Sequence, residues 1–210
     1  PSGRYRFGLQ GSFENLTKSG DRLNLGLTLS NKDLHNYSLS YSHPVGADGT
    51  TLGIGVSRMD YELSGAFRRL GAEGTADTLS LFGTTPLWRT AQSSLAVTYG
   101  WDWRRLKDEY KKIGMELEKH SSTFHLGIKG AERQYRTSWS YDLTGYCGHL
   151  GADSDWARRQ MKRAGTEGSF TKAVLNLNLR HEISDRWNIS LKAQAQKAGT
   201  NLDSSEEIYL

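Results

Sequence analysis

At 210 residues, with 36% hydrophobic side chains, 23 Gly and 3 Pro, the chain is long enough for one domain but short of aliphatics for an ordinary soluble core. Its net charge is only +4 and its basic residues form no run interleaved with aromatics, so no nucleic-acid partner is expected. Cys147 is the only cysteine, which excludes an intrachain disulfide, and no run nears the ~18 apolar residues of a membrane helix.

Apolar and polar residues alternate with a period of two along most of the chain, the signature of strands with two unlike faces. In 4–14, Tyr5, Phe7, Leu9 and Phe13 oppose Arg4, Arg6, Gln10, Ser12 and Glu14. In 23–30, Leu23, Leu25, Leu27 and Leu29 oppose Asn24, Gly26, Thr28 and Ser30. Tyr37, Leu39 and Tyr41 follow, set against Ser38, Ser40 and Ser42. The next segment changes phase: Leu52, Ile54 and Val56 share one face, but Met59, Tyr61 and Leu63 the other. A bulge, or the strand leaving a membrane near Ser57, would explain the change.

Leu79 and Leu81 resume the alternation, followed by Leu95, Val97, Tyr99, Trp101 and Trp103 against Ser94, Thr98, Asp102 and Arg104. Phe124, Leu126 and Ile128 face away from His125 and Lys129, and Trp139, Tyr141 and Leu143 away from Ser140, Asp142 and Thr144. Leu175, Leu177 and Leu179 oppose Asn176, Asn178 and Arg180. The tenth segment sets Trp187, Ile189, Leu191, Ala193 and Ala195 against Asn188, Ser190, Lys192, Gln194 and Gln196.

Many of these runs reach about 9–11 residues, the length of a tilted strand crossing a bilayer. Short connections near 16–20, 44–50, 90–93, 132–136 and 184–186 alternate with long ones near 64–76, 105–121 and 148–169, and with a shorter loop at 31–36. Outer-membrane barrels have short periplasmic turns and long extracellular loops. The expected fold is therefore all-β, an antiparallel transmembrane β-barrel, with residues 4–14 descending and 187–196 ascending. Phe13 and Trp187 near the short turns, and Tyr37, Tyr61, Trp101, Trp103 and Tyr146 near the long loops, are expected to form two interfacial girdles.

A polar interior follows from this pattern. Arg4, Arg6, Gln10, Asn24, Thr28, Ser38, Ser40, Asp102, His125, Lys129, Asp142, Asn176, Asn178, Arg180, Lys192 and Gln194 are the candidate lumen-lining residues. Each serves equally to solvate an inner wall. Trp156 with Arg158, Arg159, Lys162 and Arg163 suggests a short amphipathic helix or a surface for lipopolysaccharide phosphates, with a solvated loop the plainer expectation. Catalytic and metal patterns are lacking. The six His show no ligand spacing, Gly53 and Gly55 sit within a strand rather than opening a helix, and no G-x-S-x-G elbow occurs. No cofactor and no enzymatic activity are expected.

The segment Tyr37-Ser38-Leu39-Ser40-Tyr41-Ser42-His43-Pro44-Val45-Gly46 resembles a strand and turn of the two-partner secretion transporters, the ShlB/FhaC/HecB haemolysin secretion/activation family. Gly20-Asp21-Arg22-Leu23 is similar to that family's entry into the preceding strand. Ser57 to Leu63, Phe67, Leu70 to Ala72, Gly74 to Ala76, Pro86 to Arg89 and Arg104 to Glu109 match further motifs in order, and Asn201 to Glu206 resembles the approach to the family's sixth loop.

The resemblance implies a bacterial outer-membrane transporter, monomeric, that exports and in some members activates a large haemolysin- or adhesin-type partner. It also implies a signal peptide, a plug helix and two POTRA domains before a 16-stranded barrel. Residues 1–210 would be strands two to eleven of that barrel, with the other parts and the sixth-loop tip outside this chain. The same pattern of strands is compatible with a BamA-type insertase, a porin or, less readily, a soluble all-β binding module.

Overall fold

The computed structural model describes residues 5–30, 34–62, 72–111 and 114–202. Arg4, the 63–71 stretch and 203–210 lie outside the described residues, and with them the motif matches at Phe67 and Glu206. Ten strands form one sheet in chain order, every neighbour antiparallel. They are β1 (Arg6–Glu14), β2 (Arg22–Ser30), β3 (His35–Val45), β4 (Thr50–Glu62), β5 (Ala72–Arg89), β6 (Ser93–Tyr110), β7 (Met115–Gln134), β8 (Thr137–Ala152), β9 (Gly168–Ser184) and β10 (Trp187–Ala198). One helix, α1 (Asp155–Ala164), lies between β8 and β9.

The register carries the alternation from strand to strand. Phe13, Leu23, Tyr41, Ile54 and Leu81 are successive cross-strand partners, and Leu81 in turn meets Trp101 and then Phe124. Farther along, Val97, Ile128, Leu143, Leu175 and Ala195 make a second such row. A slip of one residue would put each apolar set on the wrong face, so a continuous apolar surface fixes the register. That surface is open: Leu9 is 58% exposed, Ile54 47% and Leu126 55%. An apolar area of this extent on a water-facing protein would drive association, whereas a bilayer covers it.

The turns explain why the strands reverse where they do. In the β1–β2 connection, Asn15 and Lys18 adopt positive φ along with Gly20. The Asp21 carboxylate accepts from the Thr17 amide at 2.9 Å and the Thr17 hydroxyl at 2.7 Å. Between β3 and β4, Gly46 and Gly49 supply positive φ at 75° and 81°, and Asp48 accepts from the Thr50 amide at 3.1 Å. The β7–β8 hairpin closes through Tyr135 at φ 45°.

Two expectations fail at the other end of the sheet. The 105–121 segment is not a long loop: β6 runs to Tyr110 and β7 starts at Met115. Their side chains alternate there as well, but with charge on the face where the membrane-type alternation placed apolar residues. The 148–169 segment likewise continues β8 to Ala152 and then forms α1. β7 has 20 residues, about 65 Å at ~3.3 Å per residue, against ~10 residues for a bilayer crossing. Much of its length stands beyond any membrane.

The phase change in β4 also has its answer. Pairing with β3 and β5 runs through Ser57 without interruption, so no bulge is present there. The irregular positions lie in β5, between Pro86 and Trp88, and in β10, between Trp187 and Asn188.

Candidate functional site: the polar face and its outer rim

Because the register is unbroken, the residues opposite the apolar surface also line up. Of the candidate residues, Arg6, Gln10, Asn24, Thr28, Ser38, Ser40, Asp102, His125, Lys129, Asp142, Asn176, Asn178, Arg180, Lys192 and Gln194 fall on one common face of the sheet. They reach each other directly. Ser12 donates to Asn24 at 3.0 Å, and Asn24 to Ser40 at 3.3 Å. Ser80 donates to Asp102 at 2.5 Å, and His125 Nδ1 lies 3.4 Å from the other Asp102 oxygen. Lys129 is the cross-strand partner of Asp142, which accepts from Thr144 at 2.8 Å. Asn178 donates to Ser140 at 3.4 Å and Gln194 to Asn176 at 2.8 Å.

Glycine lets large side chains lie flat on this face. A Cβ on Gly100 would stand 2.6 Å from the His125 ring. A Cβ on Gly74 would come 2.3 Å from the Tyr61 ring, whose hydroxyl instead donates across to Asp108 at 2.8 Å. Tyr61 and Tyr146 were expected in an interfacial girdle. Both sit on the polar face instead, Tyr146 stacked obliquely 5.7 Å from His125. Tyr37, Trp101 and Trp103 keep to the apolar surface.

Beyond Val56, Leu79, Trp103 and Ser122 the two faces exchange character. The next row on the formerly apolar side is Arg58, Asp77, Arg105 and His120. Ion pairs run along it: Arg58 to Asp77 at 3.7 Å, Arg105 to Glu118 at 3.5 Å, Lys111 to Glu73 at 2.6 Å, and Lys107 to Glu116. On the opposite side, the positions in phase with Asp102 and His125 come to include Met59, Leu106, Leu117 and Leu150, beside the charged Arg104, Asp108 and Lys119. Of the two explanations for the β4 phase change, the strand leaving the membrane is the one this row supports.

The principal buried apolar cluster sits on that side. Leu117, Leu150, Ala152 and Phe170 pack with Ala157 and Met161 of α1, and Leu202 closes over them. Ala157 and Met161 carry the packing of α1, too short a pattern in the sequence to set the amphipathic helix above the solvated loop. Ala157 is 0% and Met161 1% exposed, and they stand one helical turn apart, on one face. The helix is also well bounded. Ser154 caps its start by accepting from Ala157 at 3.3 Å, and Gly165 ends it at φ 67°. Lys162 and Arg163 in its last turn favour the negative end of its dipole. Ser154 also accepts from the Glu118 amide, and Asp153 meets His120 at 2.9 Å, fastening the helix start to β7.

Among the described residues no His, Cys, Asp and Glu group has the arrangement of a metal site.

Comparison with known proteins follows the same lines. The heme/hemopexin transporter protein HuxB of Haemophilus influenzae is 25% identical over all of this chain, which covers 38% of HuxB. CdiB from Escherichia coli superposes with a TM-score of 0.76 at 20% identity, over 96% of this chain and 38% of CdiB. BamA from Haemophilus ducreyi, lacking POTRA domains 1–3, superposes less closely, with a TM-score of 0.57 at 18% identity, over 97% of this chain and 40% of that one. The chain thus spans about two fifths of the relatives it matches, and its fold is that of outer-membrane β-barrels. The model of the haemolysin secretion/activation proteins ShlB/FhaC/HecB matches residues 1–210, and the chain belongs to that family, whose place is the bacterial outer membrane.

Proposed function

We propose that this chain is part of the wall of a conduit through which an outer-membrane transporter exports a large haemolysin- or adhesin-type partner in two-partner secretion. In this reading it supplies strands two to eleven of a 16-stranded, monomeric barrel. The observation that carries the reading is the unbroken polar face, whose side chains bond to one another across the strands. Such groups offer a passing chain many weak, exchangeable contacts and no strong one, since many of them already bond to a neighbour on the wall.

Arg4, Arg6, Gln10, Asn24 and the rest of the candidate set would line the lumen. The apolar surface would meet lipid, and the charged row from Arg58 to His120 would lie at the level of lipopolysaccharide headgroups. No reaction is assigned to the chain, because its polar groups are arranged to solvate rather than to attack a bond. Capture of the partner would belong to POTRA domains outside these residues.

The test uses the full-length protein in an outer membrane, with Cys147 replaced by Ser and single cysteines introduced at 175–180. A membrane-impermeant thiol reagent is expected to label positions 176, 178 and 180 and to spare 175, 177 and 179. Equal labelling of both sets, or a protein recovered in the soluble fraction, overturns the reading.

A further inference from the structure

The helix α1 has no part in the reading above. Its seat lies on the side of the sheet that carries Asp102 and His125, so at the outer end of the barrel it sits inside the mouth. Ala157 and Met161 point to the wall. At ~100° per residue, Arg159 is then diametrically opposite them, with Lys162 and Arg163 close on either side and Arg158 at the flank. All four are exposed. The one acid of the helix is Asp155, 3.8 Å from Arg158. The wall below has the same sign: Lys129, Lys172, Arg180 and Lys192 share the inner face with Asp102, Asp142 and Glu182.

A solvated surface helix needs no such placement, because its cations would serve equally well facing the medium. Here the two small or flexible apolar residues turn the basic face toward the exit path. Resting on the export reading, we propose that α1 is a basic sill at the outer mouth that contacts acidic stretches of the emerging polypeptide. Contacts of this kind are long-ranged and weak. They would hold an unfolded chain at the exit while letting it slide, and they would favour acidic over basic segments.

The experiment reconstitutes the full-length protein in planar bilayers and adds poly-L-glutamate on the side of the long connections. It compares the wild type with R159E/K162E/R163E and with the neutral R159Q/K162Q/R163Q. Block of the wild-type current is expected at lower polyglutamate concentration than in the charge-reversed protein, by about tenfold at low salt, three exposed pairs being individually modest. The neutral variant should fall between them, and the difference should shrink as salt approaches 1 M. An unchanged open-channel current shows that each variant is folded.

Identical block in all three proteins overturns the proposal. So does a charge reversal that leaves block unchanged while abolishing binding to lipopolysaccharide micelles, because phosphate would then be the ligand. Export of the secreted partner is followed in cells in parallel. A wild type that exports nothing defeats the transporter reading, whereas the polyglutamate block still decides on the helix.

Discussion

The strands have two regions with opposite rules. From the short turns up to Trp103 on β6 and Phe124 on β7, apolar side chains face outward and polar ones inward. Above that level, Arg105, Lys107 and Glu118 face outward, while Leu106, Leu117 and Leu150 face inward. One backbone ladder carries both, so the difference lies in the solvent and not in the pairing. A bilayer makes an apolar exterior favourable, and water above it makes an apolar interior favourable. The upper region behaves like a small soluble protein seated on a membrane protein, and its buried cluster is the principal place where the hydrophobic effect acts in the ordinary sense.

The sharpest way to separate the two regions is to remove a buried side chain from the upper one. Leu150 is 1% exposed and packs against α1. Leu150→Ala is expected to cost roughly 2–5 kcal/mol locally, by lost transfer energy and the cavity left behind. Hydrogen exchange should show α1 and the tops of β7 and β8 opening more readily, with the lower strands unchanged. Loss of protection throughout the barrel would mean that the upper region is not an independent unit. The same truncation at Leu126 should cost less, the transfer energy alone, because lipid rather than protein surrounds the side chain and fills the space it leaves.

Leu126 instead responds to charge. Leu126→Arg places a guanidinium on the apolar surface and is expected to cost about 2–4 kcal/mol near the bilayer midplane. Lys107→Ala, on the outward face above the switch, removes an ion pair between half-exposed groups and is expected to cost less than ~1 kcal/mol. Urea unfolding of the full-length protein in lipid vesicles measures both. Equal penalties would move the membrane boundary away from the Arg58–His120 row.

This contrast also explains what could be read in the sequence. Period-two alternation is a direct record of a two-sided strand, so ten strands and the polar face were legible from Leu23, Leu25 and Leu27 or from Asn176 and Asn178. The upper region reads as loops because its rule is inverted. At 105–121 the alternation persists, but charge stands where membrane logic expects Leu, and a charged run resembles a loop. The phase change between Val56 and Met59 was the visible sign of the inversion. The register across β4, β5, β6 and β7 was needed to show that these four strands switch on one row. For α1 the signal was two apolar residues among four cations. A spacing of four was too little to set a helix above a loop, although Ser154 and Gly165 mark its ends.

A third region, the short turns, is governed by neither rule, and pH should reach it selectively. Asp21 is buried, which by itself raises a carboxyl pKa, but donation from the Thr17 hydroxyl and amide outweighs this and holds it below the usual carboxylate range. A folded pKa below the unfolded one means that the charged carboxylate adds stability above about pH 4, and that this is lost as pH falls through the folded value. The β1–β2 turn should therefore lose amide protection at Thr17 and Gly20 in acid, before the strands do. Asp21→Asn should start less protected and lose that pH dependence. If the variant keeps the wild-type dependence, another group sets it. The effect is expected to be small and local, because the turn can fray while β1 and β2 remain paired from Phe7 to Leu23.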